Sequence, residues 1–498
     1  MITKPTLQNH KTVLVLLFLL FTTIGNAQIG IGTVTPDATS ILDISSTTKG
    51  MLAPRMTTIQ RNAITTPAES LMVYDTDLKM FYYYSTPNGW LPLLNSAVGR
   101  TNFKRVKSAA DLAPELTAGG GTRYQLTTNT LYEINGIITL TAPINLNDAY
   151  VTGQDTNEDI LYYPGGTIFQ GTTGGSIRNI TLKGGRAFNI TGGTSLLVQN
   201  TIVDGSTSLS PATPNVTGTV GTISGLGLYF GNIVNFINNS NGITYSNINS
   251  LLLSNQAWFS SNNGTFETYT GTFSVIQKNS GLSTVDAADV AMDVSAAGLT
   301  VGSGTLLGTV FSGTTSQVYV RGYPAAQTYP GYNFSNAWTV DSPGIPREGD
   351  GDATGDINLV ASVGAAVTTA FAATGTTGRR KIAGGTTSNN LFRFARDGDN
   401  RIVYKGTKPR YFQVVASVSY QTSSDATLII YIAKNGVVLT ETKVYGRGSG
   451  GFLATSPIIA LPSVGTVQMK TDDALEVWVE RFAGTADMST VSLNLTAR

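Results

Sequence analysis

The chain has 498 residues, a net charge of +1, 13% charged residues, no Cys and one His, His10. Without Cys no disulfide framework can form. Without His or Cys beyond residue 10, Ser-His-Asp and Cys-His nucleophilic catalysis and His- or Cys-ligated zinc are excluded for the rest of the chain. Charge is well below the roughly 25% of an average globular protein, and with no basic field nucleic acid is not an expected partner. Carboxylate-pair chemistry and oxygen-ligated calcium stay open.

Residues 1–27 read as a secretory signal peptide. Lys4, His10 and Lys11 precede an apolar run, Val13 to Phe21, and Gly25 and Ala27 supply small residues for cleavage. The run is about half the ~20 residues that a bilayer core demands, so no membrane insertion is expected. A mature chain starting at Gln28, secreted or held at the cell surface, is the expectation. Abundant Gly, Thr, Ser and Asn between short β-branched runs predict an all-β fold.

Residues 28–100 form the first expected unit, an attachment module. Ile41 to Ile44 predicts a strand, and Thr57 to Ile64 predicts two helical turns with Thr57 and Gln60 as a capping box. Leu71 to Tyr74 and Met80 to Tyr84 predict a hairpin across Asp75 to Asp77. Tyr82, Tyr83, Tyr84 and Trp90 are the densest aromatic cluster, read as trimer-interface packing, with a sugar platform as the alternative. The unit is too thinly apolar for a core of its own and is expected to pack against copies of itself. The run from Gln28 to Tyr84, with "ILDIS", "KGMLAPRMTTIQRNAI" and "LMVYDTD", resembles an N-terminal module of exported flavobacterial proteins and related segments of phage tail-fibre-like proteins. The resemblance implies an exported surface location and a trimeric fibre context. It implies no reaction.

Residues 101–370 form the second expected unit. Asn179-Ile-Thr-Leu-Lys-Gly184 is echoed by Asn200-Thr-Ile-Val-Asp-Gly205, and Asn241-Gly242 by Asn263-Gly264. A spacing of about 20 residues with Gly and Asn at the corners predicts a right-handed parallel β-helix. A β-sandwich with Gly-rich loops is the alternative. The pattern resembles the β-helical shafts of phage tailspikes. Asp148, Asp155, Glu158 and Asp159, followed by Tyr162 and Tyr163, are the candidate catalytic and binding residues. Convergent carboxylates walled by aromatic rings would cleave or hold a glycan, and a solvated loop is the bland alternative.

Asp350, Asp352, Thr354 and Asp356 sit at alternate positions, with Gly355 at the sharp turn, and could wrap a calcium ion. The twelfth position of such a loop would be a bidentate Glu and is Ala361, so a polar linker is the alternative. No other cofactor is expected. Residues 371–390 are read as a linker, and Asp397, Asp399 and Asn400 as a turn with a second calcium option. Residues 391–498 predict strands at Tyr411 to Tyr420, Ala426 to Ala433, Val437 to Val444, Ala474 to Phe482 and Thr490 to Thr496. The pieces "YFQVVASVSY", "IIYIAKNG", "KTDDALEVWVE" and "STVSLNLTAR" resemble the jelly roll of complement-type heads and tumour-necrosis-factor-like domains. That resemblance implies a homotrimeric head that binds rather than catalyses. The functional expectation is a trimeric structural or adhesive fibre binding a glycan or a surface protein. The alternatives are a tailspike-type polysaccharide hydrolase or lyase and a phage tail-fibre-like component.

Overall fold

The computed structural model describes residues 14–15, 28–93, 102–210, 215–450 and 456–498, so the expected leader lies outside the described residues apart from Leu14 and Val15. The chain divides into two compact units, residues 1–101 and 102–498.

In the first unit Ile29–Ile31 pairs parallel with Leu42–Ile44. The helix Thr58–Asn62 starts on the expected capping box: the Thr57 amide donates to Gln60 Oε1 and the Gln60 amide to Thr57 Oγ1. Met72–Asp75 and Met80–Ser85 form the expected hairpin, continued by Gly89–Pro92. The aromatic cluster packs locally. The Arg61 guanidinium lies 3.8 Å from the Tyr82 ring centre, and Tyr84 meets Trp90 edge-on at 5.6 Å.

The second unit opens with a parallel β-helix. Its 20 strands, from Phe103–Val106 to Trp338–Asp341, pair in parallel from coil to coil. One inner ladder runs Ile138, Leu161, Leu182, Val203, Phe236, Trp258, Ser283, Phe311. All eight are buried, because alternate residues of a strand point inward and each is covered only by its counterpart in the next coil. Phe236 and Trp258 stack at 3.8 Å. A second ladder follows Tyr124, Ile144, Phe169, Phe188, Gly221, Ile243, Glu267, Met292, Val320.

Glu267 therefore points into the lumen. It meets Lys278 of a facing ladder at 2.9 Å, with both side chains 1% exposed, and accepts from Trp258 Nε1 and the Tyr269 hydroxyl at 2.8 Å each. A charge buried this deeply persists only when paired and hydrogen-bonded.

The expected Asn corners are present where coils align. Ile180 faces Thr201, so Asn179 and Asn200 stack at one corner, and Asn200 Nδ2 donates to Asn179 Oδ1 at 3.1 Å. The same corner continues through Ile233, Asn255, Ser280 and Gly308, all with φ between +47° and +66°. The Asn241/Asn263 echo is not in register: Ile243 faces Glu267, an offset of two more residues. Coil length drifts as turns lengthen, and Ile190 already faces Ile223 across the loop that follows Asp204.

Residues 355–498 form two antiparallel sheets around a second core that includes Phe394, Phe412, Tyr420, Val477 and Leu495. One sheet runs Gly355–Val360, Met488–Ala497, Arg410–Thr422, Ile459–Met469. The other runs Phe394–Arg396, Ile402–Tyr404, Ala474–Gly484, Ala426–Lys434, Val437–Val438. Three expectations change here. The strand Gly355–Val360, placed in the shaft, pairs with Met488–Ala497. The stretch 371–390, expected as a linker, is folded in: Arg380–Lys381 pairs with Ala474–Gly484, and Ile382 is buried. Its few anchors are hidden among Gly and Thr. The expected strand Val437 to Val444 breaks into Val437–Val438, a short 3-10 turn and Val444–Gly448. The edge strand Ile459–Met469 was unanticipated because Pro462 and Gly465 interrupt its pattern, and an edge position tolerates that Pro.

Ile233 is the one β-branched residue of the Asn corner, at φ +53°. That conformation costs an L-residue about 1–2 kcal/mol. Ile233→Asn is expected to raise the unfolding free energy by about 1 kcal/mol, read in a denaturant melt. No gain would show that the side chain repays its strain in contacts.

Candidate functional site

The acidic candidates of the shaft do not converge. Asp148 is an exposed corner residue at φ +57° that follows Ile144–Asn145, whereas Asp155, Glu158 and Asp159 lie on the loop at a different corner, between Tyr150–Thr152 and Ile160–Gly171. Asp155 and Glu158 are exposed, and Asp155 Oδ1 accepts the Asn157 amide at 2.7 Å. Asp159 is buried, and its carboxylate takes three backbone N–H groups: Gly136 at 2.8 Å, Gln154 at 2.6 Å and Asp155 at 3.0 Å. Burial opposes its charge, but these amides outweigh it and hold the carboxyl below its ordinary range. A general acid needs the opposite shift. Tyr162 donates to the Thr207 carbonyl at 2.7 Å and Tyr163 to that of Thr141 at 3.4 Å.

The calcium candidates are also parted. Asp350 accepts from Arg393 Nη1 at 2.7 Å and from the backbone amides of Thr407 and Lys408 at 2.9 and 2.8 Å. Asp352 leans toward Arg347 at 3.7 Å. Asp356 is buried and accepts the amides of Asn389 and Asn390 at 3.0 and 2.8 Å. Asp397 pairs with Arg401 and Asp399 with Arg396. Asn400 is buried, its Nδ2 donating at 2.9 Å to the carbonyls of both Ile382 and Val477. Among the described residues no cluster of acidic side chains is arranged to hold a metal ion.

These residues build a joint instead. Arg393, 2% exposed, donates to the carbonyls of Asn336 and Trp338 at 2.7 and 2.6 Å as well as to Asp350. Asn336 Nδ2 returns a bond to the Lys405 carbonyl at 2.9 Å. The end of the β-helix is thereby fastened to the sandwich. Beside the joint lies a cleft of about 600 Å³, lined by Tyr329 and Tyr332 of the shaft's last loop and by Asn389, Asn390, Phe392 and Arg396 of the sandwich. Its two walls come from segments some 60 residues apart, so no local pattern announces it.

The first unit offers a different surface. Val34 is 98% exposed, Ile41 80%, Leu52 83% and Ile59 80%. They belong to a unit in which Val73 is the one fully buried apolar side chain among the described residues.

The Asp159 geometry has a pH signature. Its folded pKa lies below the ordinary value, so its contribution is present above about pH 4 and is lost as pH falls through the depressed pKa. Asp159→Asn should cost about 1–3 kcal/mol at pH 7, with the gap to the parent closing in melts as pH falls below about 4 and through the depressed pKa. A gap independent of pH would contradict this role.

Residues 30–108 match the family model described as the phage tail like trimerisation region. No curated protein matches the chain. Among solved structures, the tailspike protein of Acinetobacter phage vB_ApiP_P1 is similar at 9% identity with a TM-score of 0.34, over 89% of this chain and 100% of that one. The enzymatically active domain of tailspike protein 4 of bacteriophage CBA120 is similar at 9% identity with a TM-score of 0.21, over 90% of this chain and 77% of that one.

Proposed function

We propose that the chain is exported and acts as a homotrimeric, fibre-like surface protein that binds a glycan or a protein partner through its head or shaft loops without cutting it. The observation that carries this reading is the exposed aliphatic surface of the first unit, lying in the segment that matches a trimerisation region. Copies of the same unit would cover it, and closed threefold packing also removes exposed strand edges. The sandwich supports the reading. With Phe394–Arg396 set aside as an added edge strand, the other eight of the nine strands given above, taken in chain order, run first, eighth, third, sixth in one sheet and second, seventh, fourth, fifth in the other. That order supports the jelly-roll reading of the head. Its outer face carries Tyr411, Val415 and Val464, exposed at 64, 39 and 54%, with Val415 facing Val464 across the strands. Among the described residues no helix is long and apolar enough to cross a membrane. A calcium ion has no part in this account.

Replacing Ile41 and Leu52 together by Asp should dissociate the assembly and leave the circular dichroism of shaft and sandwich unchanged. An unaltered assembly would remove the carrying observation. The mature chain should also release no reducing ends from capsular or algal polysaccharides. Release abolished by Asp155→Asn, with the fold intact by circular dichroism, would establish a tailspike-type hydrolase or lyase instead.

A further inference from the structure

We infer that the cleft between the last loop of the shaft and the sandwich is a saccharide-binding subsite, sized for about two pyranose rings, neutral or carrying a carboxylate. The inference deepens the binding reading above and rests on it. The cleft, about 600 Å³, falls within the range of small-ligand sites. Its apolar wall is aromatic. Tyr332 stacks on Phe392 at 3.9 Å with an 18° interplanar angle, and Tyr329 meets Phe392 edge-on at 5.4 Å. Phe392 is buried beneath them, so the ring surface left to pack against the C–H face of a sugar is that of the half-buried Tyr329 and Tyr332.

The polar wall is made of uncharged groups that both donate and accept, which sugar hydroxyls require. The backbone amides of Asn389 and Asn390 are fixed by Asp356, and their side-chain amides have no hydrogen-bond partner among the described residues. Unpartnered polar groups beside aromatic rings are the complement of a polyhydroxylated ring. Arg396 is the one charged residue of the lining and no carboxylate lines it, so a uronic acid is tolerated and no acid–base pair is present to cut the ligand. The Arg393–Asp350 joint holds both walls, so little ordering cost falls on binding. A peptide added as a strand is disfavoured, because the edge strand in the cleft, Phe394–Arg396, is only three residues long.

Isothermal titration of the chain from Gln28 onward with cellobiose, maltose, lactose and digalacturonate tests the site. At least one should bind once per chain, and Tyr332→Ala and Asn390→Ala should each weaken it at least tenfold, while Asp155→Ala leaves it unchanged. Asn390 is exposed, so its variant decides the matter if Tyr332→Ala unfolds. Absence of binding by all four sugars overturns the proposal. So does binding that ignores both variants, which would leave glycan recognition elsewhere on head or shaft standing. Binding of an extended heptapeptide library in place of the sugars, lost in Asn390→Ala, overturns it in favour of a peptide site. A chain that binds a sugar here as a monomer keeps the site and removes the trimeric reading.

Discussion

A coil of parallel β-structure cannot cover its own inner edge, so every apolar side chain of the ladder depends on the coil above and the coil below. The stack is therefore stable only if both ends are closed. At its start, Leu112 and Leu116 of the short helical segment pack onto the shaft core, and Lys104, Glu115 and Tyr132 satisfy one another beneath them. At its end, Phe334 and Trp338 close the lumen, and the Trp338 indole donates to the Tyr323 hydroxyl. Arg393 then reaches from the sandwich to the carbonyls of this last turn. A buried guanidinium is costly to desolvate, and Asp350 with two carbonyls offsets that cost. The sandwich is thus the lid of the helix.

The second unit buries its own ladders and satisfies its own deep charges, Glu267 with Lys278 among them. The first unit satisfies its one deep carboxylate, Asp75, but among its described residues Val73 is the one apolar side chain that is fully buried. Its strands Ile29–Ile31 and Leu42–Ile44 are exposed along most of their length, and its aliphatic residues need a partner. One part of the chain is a self-sufficient rigid scaffold, the other an assembly element. A rigid scaffold is also what makes a loop cleft useful, since loops carry recognition when the elements behind them do not move.

What the sequence made legible follows from how local each signal is. The capping box at Thr57 and Gln60, the hairpin at Asp75 and the stacked corner of Asn179 and Asn200 are each set by a few neighbouring residues, and each is where it was expected. The Asn241 and Asn263 echo failed because coil length is set by outward loops, which drift without disturbing the ladders. Lys278 and Glu267 gave no signal of lumen positions, since a charge on an inward site breaks the alternation used to find such sites. The alternate acids at 350 to 356 had the spacing of a cation loop. That spacing does not fix side-chain direction, and Arg393, Arg347 and the Asn389–Asn390 amides each claimed one. The fold of 371–390 and the junction cleft needed contacts across dozens of residues, which no local pattern records.

The central claim is that the exposed surface of the first unit is closed by copies of the same chain. The mass of the purified chain from Gln28 onward, by light scattering coupled to size exclusion over a wide dilution series, tests it most directly. A mass of three chains that persists on dilution is the predicted result. A mass of one chain at all concentrations would contradict the account, leaving Ile41, Leu52 and Ile59 bare with nothing to cover them.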